Sequence, residues 1–509
     1  MKNIFGLETR GRSDEPQVQM VTHPSSGSRP PSTVRRLLST VCRLQFPLLV
    51  FIATTAFSQD TLSLSGAISI GLRNNFDVQI EQQNIDIARN NNTWGQAGML
   101  PTISLISNNT NNIVQRKPAN PFAVAGRNIS SSIPGQLDVQ FVLFDGFLIR
   151  FNKQRLDELE RLSYGNAAFV METAVQAIIL GYYQALLEKE RLKVFEITQT
   201  LSKERYNYVK LRKQLGGAIT FDVLQEQNNY LTDSANVLRQ QIVYKNTLRS
   251  LNLLLSEEVT KEFRLVDSLV HETEQYSYED LRQKMVSSNT NLQNQFINQE
   301  LLRNATQLQQ SNISPSLILN MGATGSLDKL NARFRPTESG TIQKSTVGYL
   351  NDDPSQPVIA SSFAPEYRTV NGNSYGAYAN LSLRFTIFQG GQIRRGIENA
   401  RIQEKIGALT TNQLKLSLEN DLLVNFDNYN LRQQLVTISQ TKLKAAELNL
   451  DLANERYKNG ALSAIDLRIV QENYRNAAVE NFVAIYSSIE SRVALIRLTG
   501  GLVDKQAIR

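Results

Sequence analysis

Cysteine and histidine are almost absent from this chain of 509 residues, which has one cysteine, Cys42, and two histidines, His23 and His271. Cys/His zinc sites and a Cys–His or Ser–His triad are thereby nearly excluded, and no metal or other cofactor is expected. The phosphate-loop pattern G-x-x-x-x-G-K-[ST], the dinucleotide pattern G-x-G-x-x-G and the nucleophile elbow G-x-S-x-G are all missing. The short GATG at Gly322 reads as a loop or strand end. With no nucleophile–base arrangement, an enzyme is not expected. Concentrated positive charge is lacking too. The net charge is +7, but residues 1–58 hold seven Lys/Arg against three Asp/Glu, so the remainder carries only about +3. No basic cluster marks one face, and no nucleic-acid partner is expected. Beyond the N-terminus there is no uninterrupted apolar run of about 18 residues, so a transmembrane helix is not expected.

The N-terminal segment reads as an export signal. Arg35, Arg36 and Arg43 precede the twelve residues Phe46–Phe57, FPLLVFIATTAF, a core too short to span a bilayer. Ala56 and Ser58 place small residues before Gln59, as a cleavage site requires. Residues 1–58 are therefore assigned to an N-terminal extension and signal peptide. Within them, 1–34 is Pro/Ser/Arg-rich, either disordered or upstream of the true start. Loss of Cys42 with the signal leaves a chain without thiols, which suits an oxidising compartment. An exported chain of this kind can be soluble in the periplasm, secreted, or a β-barrel in an outer membrane.

Two stretches nearly match. LDVQFVLFDGFLIRF runs from Leu137 to Phe151, and LSLRFTIFQGGQIRRG from Leu381 to Gly396, with Phe388 lying 244 residues after Phe144. The same offset pairs Arg150 with Arg394, Arg212 with Arg456, Gly216 with Gly460, Asp222 with Asp466, Gln227 with Gln471, Tyr230 with Tyr474 and Leu254 with Leu498. Upstream the offset is 214, pairing Asn75 with Asn289 and Pro101 with Pro315, so the second half carries 30 extra residues of loop. This is one duplicated unit, because short-period solenoid repeats run to only about 20–50 residues. The first repeat is set at 59–255, a linker at 256–278, the second repeat at 279–500 and a tail at 501–509.

Proline is absent between Pro134 and Pro315 and again after Pro365. The long Gln/Asn/Leu/Lys/Glu-rich segments this leaves read as helix, with apolar residues at mixed three- and four-residue steps. Gly146 to Gly216 and Gly390 to Gly460 are each 70 residues, about 105 Å if helical throughout. Thr220–Leu255 and Glu279–Asn312 are shorter helices that stack end to end beside a long one, and 256–278 is an irregular belt. Period-two alternation makes Leu137–Phe144 and Leu381–Phe388 two-faced strands, and PTISLIS and PSLILNMG open two more. Loops are expected at 108–135 and 326–374, facing outside. Apolar-out, polar-in strands are the mark of a transmembrane barrel. Phe144 and Phe388 then anchor at the membrane interface, and Gly146, Gly390 and Gly391 permit the reversal from strand to helix. Four strands cannot close a barrel, which needs at least about eight, so the chain is expected to oligomerise.

These features together resemble the TolC family of outer-membrane efflux proteins, over about Leu62 to Gly500. The resemblance rests on the duplication, the strand–F-x-G–helix corners, GQAGMLPTISL at Gly95–Leu105 and the hairpin tips LGGAITFDVLQEQNNY and NGALSAIDLRIVQENY. It implies an internally duplicated α+β membrane protein. Four strands per chain would contribute to a twelve-stranded barrel of a homotrimer in the cell outer membrane, continuous with a coiled-coil tunnel of α-helical hairpins in the periplasm. It implies a passive exit duct for efflux or secretion, contacting outer-membrane lipid. A periplasmic adaptor (membrane fusion protein) and an inner-membrane pump of the RND or ABC type dock below. By the family pattern Asp222, Tyr457 and Asp466 form the gate. Gly216, Gly217, Ala218 and Ile219, with Gly460, Ala461, Leu462 and Ser463, are the adaptor-contacting tips. Two departures stand out: Ile469 replaces a second aspartate and Leu462 a tip arginine, which thins the acidic ring and weakens the latch. Arg468, next to Ile469, would change ion preference further. Asp222 and Asp466 equally suit N-caps, and the tips equally suit tight helix–helix turns. The rival reading from another class is a periplasmic coiled-coil scaffold or tether without a channel.

Overall fold

The computed structural model of the chain describes residues 60–117, 119, 124–336 and 338–503. The expected signal at 1–58, with Cys42 and His23, lies outside these, as does most of the tail. In chain order the first half holds β1 (Asp60–Leu62), α1 (Leu64–Asn74), α2 (Phe76–Asn91), α3 (Trp94–Ala97), β2 (Thr102–Ser107), β3 (Thr110–Arg116), β4 (Gly126–Phe144), α4 (Leu148–Gln214) and α5 (Thr220–Leu254). After β5 (Phe263–Leu265), the second half holds α6 (Tyr278–Ser288), α7 (Thr290–Ser311), β6 (Ser316–Phe334), β7 (Ile342–Tyr349), β8 (Pro357–Phe363), β9 (Glu366–Arg384), α8 (Gln392–Lys458) and α9 (Ala464–Leu498).

The duplication holds to the residue in the helices. α4 and α8 are each 67 residues, and α5 and α9 each 35. Each long helix is thus about 100 Å. The expected single helix 279–312 is broken at Asn289, just as α1 and α2 part at Asn75. Asn75 (φ −60°, ψ 124°) and Asn289 (φ −61°, ψ 122°) each end one helix and cap the next. Their side chains accept from Val78 N at 3.1 Å and Leu292 N at 3.0 Å. An asparagine that leaves the helical region and turns its amide oxygen onto the following turn replaces the hydrogen bonds the break costs.

The helices lie side by side. On the hairpin side the order is α5, α4, α9, α8; towards the sheet it is α2, α4, α7, α8. α8 therefore forms one edge, and α2 with α5 the other. Both edges carry exposed apolar stripes at seven-residue steps: Ile402, Leu409, Leu416 and Leu423 on α8, continued one residue on by Val424, Leu431 and Ile438, and Leu224, Leu231 and Leu238 on α5. A seven-residue apolar repeat is the seam of a coiled coil, and here it faces outward. One stretch of α4 is long and apolar enough to cross a membrane by length and composition. Its Ile178, Tyr182, Leu186 and Leu187 instead pack in the main core with Leu62, Leu251, Leu255, Phe263, Val436 and Ile485. The belt is tied to this core. β5 pairs in parallel with β1, and Asp267 Oδ2 lies 2.7 Å from the Tyr182 hydroxyl and accepts from Leu64 N at 2.8 Å. Farther along, Arg492 bridges Glu272 at 2.6 Å and Glu274 at 2.5 Å.

The sheet runs β2–β4–β6–β9, with β3 continuing the β2 arm along β4. The ladder between β2 and β3 lapses opposite Ile133 and Pro134, where proline has no N–H to give. Register sorts the side chains by face. Ile103 and Leu105 adjoin Leu137 and Val139, which adjoin Ala323 and Met321, and Leu381 and Leu383 lie beside Leu319 and Leu317. The other face is polar, with Thr102, Ser104, Gln140, Asp138, Asn320 and Asn380. There Gly322 stands between Asp138 and Tyr378. The Tyr378 ring crosses it so that the hydroxyl bonds to Asp138 and accepts from Gln136 at 3.0 Å. A Cβ on Gly322 would meet that hydroxyl at 2.8 Å and the Leu137 carbonyl at 2.2 Å.

Two expectations are corrected. The segments 108–135 and 326–374 are mostly strand: the first hairpin runs to Arg116 and Gly126, and the second to Phe334 and Glu366, with β7 and β8 a separate ribbon. Their Ser/Asn/Gly composition, polar on both faces, hid the strand. The strand expected over Leu381–Phe388 ends at Arg384, leaving Phe385–Phe388 outside it. β4 continues to Phe144 because β6 pairs its last residues, whereas β9 is an edge whose last partner, Ser316, follows Pro315.

Candidate functional site

At the sheet end, the strand–helix corners place Gly146 and Phe147 at φ +70°, and Gly390 and Gly391 at φ +55° and +73°. Phe147 takes this left-handed conformation with its ring edge-on to Phe144, centroids 5.6 Å apart. Phe388 is exposed beyond the end of β9.

At the far end each hairpin turns through one glycine. Gly216 (φ +78°) and Gly460 (φ +74°) occupy equivalent positions. Gly217 N donates to Arg212 O and Ala461 N to Arg456 O, both at 2.8 Å. These bonds reach back five residues to close the helix, the glycine supplying the conformation an L side chain resists. The return helices start differently. Ser463 caps α9, accepting from Asp466 N at 3.1 Å and donating to its carboxylate at 2.7 Å. Ile219 has no side chain to cap α5, so only the reciprocal half remains: Asp222 accepts from Ile219 N at 3.1 Å.

The two hairpins enclose a cleft of about 520 Å³ whose walls include Gly217, Ala218, Asp222, Tyr457, Leu462 and Ser463, together with Phe221, Ile465 and Ile469. Of the residues singled out in the sequence, Gly216, Ile219, Gly460, Ala461 and Asp466 sit on the same tips outside the cleft wall. Asp222 and Tyr457 share the wall, but the described residues show no hydrogen bond between them; Asp222 is engaged with its own helix start. Tyr457 is buried, its ring edge-on to Tyr208 with centroids 5.8 Å apart. Burial, with Glu226 nearby, pushes its hydroxyl above the usual tyrosine range.

What joins the hairpins is the Arg468–Asp233 ion pair together with a bond from the buried Arg205 to Gln471. Arg468 on α9 reaches Asp233 on α5 through two nitrogens, at 2.5 and 2.9 Å, and also donates to Ser202 on α4 and Glu472. Below it, Arg205 Nε donates to Glu226 at 2.5 Å and Nη1 to Gln471 of the second hairpin. The Arg205 and Glu226 side chains are only 2% and 3% exposed, so neither charge could persist there without the other. One Arg205 nitrogen, Nη2, is buried with no partner among the described residues, so the cluster keeps an unspent donor. Arg468, linked to ion preference in the sequence, lines the cleft with its guanidinium committed to Asp233. Arg205, Glu226, Asp233 and Gln471 were not recognised from sequence as a joint. The available signal is that Glu226, Asp233 and Gln240 recur every seven residues and are all buried, so α5 turns a polar seam towards its neighbours.

The comparisons with known proteins bear on the fold. No family model matches the chain, and no curated relative does. Solved structures do. CusC, described in terms of folding and transmembrane channel formation, matches with a TM-score of 0.64 at 13% identity, covering 86% of this chain and 92% of that one. The chain has the fold of an outer-membrane channel. The Campylobacter jejuni CmeC outer membrane channel matches at 0.62 and 14% identity, covering 87% and 88%. The open state of the Neisseria gonorrhoeae MtrE outer membrane channel matches at 0.59 and 15%, covering 86% and 89%. The mixed helix-and-strand fold of one chain, an antiparallel sheet continued by long helical hairpins, is thus the fold of these channel proteins.

Proposed function

We propose that three copies of this chain form a passive exit duct in the outer membrane, for efflux or secretion. The observation that carries the reading is the sheet. It has one apolar face, one polar face and two edges, β2 and β9, without partners among the described residues. Open edges are not tolerated in lipid, and closure removes them. Joining β9 of each copy to β2 of the next gives a closed barrel with the Leu137–Val139 face towards lipid and the Asp138–Tyr378 face towards the lumen. The helices continue the barrel as a periplasmic tunnel, its seams the outward stripes of α8 and α5. The tips at Gly216–Ile219 and Gly460–Ser463 receive a periplasmic adaptor (membrane fusion protein), which links the duct to an inner-membrane pump of the RND or ABC type. Asp222, Tyr457 and Asp466 lie at the closing end, where the Arg468–Asp233 pair and the Arg205–Gln471 bond join each chain's hairpins.

The duct performs no bond-making chemistry in this reading. Its work is to provide a wet path and to close it. The test is to fractionate membranes of expressing cells, extract the protein in detergent and record planar-bilayer conductance. Outer-membrane trimers that conduct are expected. A water-soluble, non-conducting chain would instead indicate a periplasmic scaffold.

A further inference from the structure

The duplication supplies a template for how one copy meets the next, given the trimer just proposed. Within the chain α4 lies against α9. The repeat offset of 244 turns α4 into α8, and in reverse turns α9 into α5. The seam between copies, α8 against the next α5, is therefore the repeat image of a seam visible inside one chain.

At the level of the belt, Tyr183 of α4 and Ile489 and Val493 of α9 line one small cleft, which His271 and Glu272 also border. The images of these three apolar residues are Asp427 on α8 and Lys245 and Arg249 on α5. All three are exposed. Asp427 interrupts the outward apolar stripe between Val424 and Leu431, and Arg249 continues the α5 stripe beyond Leu238 and Ile242, with Lys245 one turn before it. Among the described residues none of the three joins an ion pair. Arg249 donates only to Asn246, at 3.0 Å. Their surroundings reinforce the contrast: residues 234–256 hold three cations and no carboxylate, whereas 416–431 hold three carboxylates and no cation.

We propose that Asp427 of one copy pairs with Arg249 and Lys245 of the next, a charged clasp at belt height that sets the register between copies. A lone charge in an apolar helix seam is satisfied in one register only; sliding the helices by a turn strands it among leucines. Because acid and base lie on opposite edges of the chain, the contact is head-to-tail and closes a ring.

Two experiments on the full-length chain decide it, in a Cys42→Ser background. In the first, Asp427→Cys is combined with Arg249→Cys and membranes are oxidised. A ladder of covalent dimers and trimers that collapses on reduction is expected, with none from either single replacement. In the second, Asp427→Arg is expected to lower the trimer fraction about tenfold, and adding Arg249→Asp to restore it. Trimers of the parent that show neither cross-link nor rescue overturn the clasp and leave the duct reading standing. A parent chain that is monomeric in detergent overturns both.

Discussion

The two repeats share a backbone but not a chemistry, and the difference locates what each half contributes. Arg468 and Asp233 form a buried bidentate pair between hairpins. The residues at the repeat-equivalent positions are Leu224 and Ala477. Arg205 and Glu226 correspond in the same way to Asn449 and Val470. One seam near the tip is therefore ionic and its image uncharged. The corners diverge likewise. Gly146 is hemmed in, since a Cβ there would meet Ser311 O at 2.6 Å and Ser314 Cβ at 2.5 Å, while one at Gly390 would meet nothing within 4 Å among the described residues. A duplicated fold thus keeps hydrogen-bonded turns and helix lengths, which the backbone dictates, and lets side-chain seams drift according to which neighbour they meet.

The sharpest way to break this comparison is to convert one seam into the other. Arg468→Ala should destabilise the hairpin pair by about 3–5 kcal/mol, because Asp233 is left buried and unpaired. Arg468→Leu combined with Asp233→Ala installs the chemistry of the equivalent positions and should recover most of that loss. Chemical unfolding of the solubilised protein, followed by far-UV circular dichroism, measures both. If the double replacement is as damaging as the single one, the ionic seam is more than a drifted apolar one.

A smaller effect is expected at the corners. Gly390→Ala meets only the left-handed backbone penalty, about 1–2 kcal/mol. Gly146→Ala meets the same penalty and in addition a carbonyl that cannot move aside, so it should cost about twice as much. Thermal unfolding midpoints of the two variants give the order directly, and equal midpoints would mean that the α7–β6 junction yields easily.

The smallest effect concerns Tyr457, whose counterpart in the first repeat is Lys213. Burial first, and Glu226 second, raise the pKa of the Tyr457 hydroxyl above its ordinary value of 10.0. The neutral phenol is favoured in the folded tip, so its contribution is fully present below pH about 10 and is lost as pH rises through the folded value. The parent tip should therefore become more protease-sensitive above pH about 10 than the Tyr457→Phe variant, which has no proton to lose. Identical digestion of the two at pH 9 and pH 11 would reject this.

Much of the fold was legible because backbone rules write themselves plainly. Proline-free spans and glycines at the two tips each mark a position where the main chain has few choices, whereas Asn289 gave no sign of the helix break it makes. The upper strands were not legible, since Ser130, Ser131, Ser132, Asn371 and Asn373 show no alternation when both faces are wet. Nor was the end of β9: whether Phe385–Phe388 can be strand depends on a partner edge rather than on their own apolarity. At the tip the residue types were readable and the pairing was not. Asp222 carries the family signal, yet it serves its own helix. The joint is made instead by Asp233 and Arg468, which are 235 residues apart and bear no local mark of each other.

Tyr378 lying across Gly322 ties three positions into one heritable unit. A lineage that acquires any side chain at 322 collides with both the ring and the Leu137 carbonyl, so it must shed the tyrosine and shift the strand. One that loses the tyrosine leaves Asp138 without its partner and a dent in the polar wall. Substitutions at 138, 322 and 378 should then travel together through descent, so that the three sites vary far less independently than their exposure would suggest.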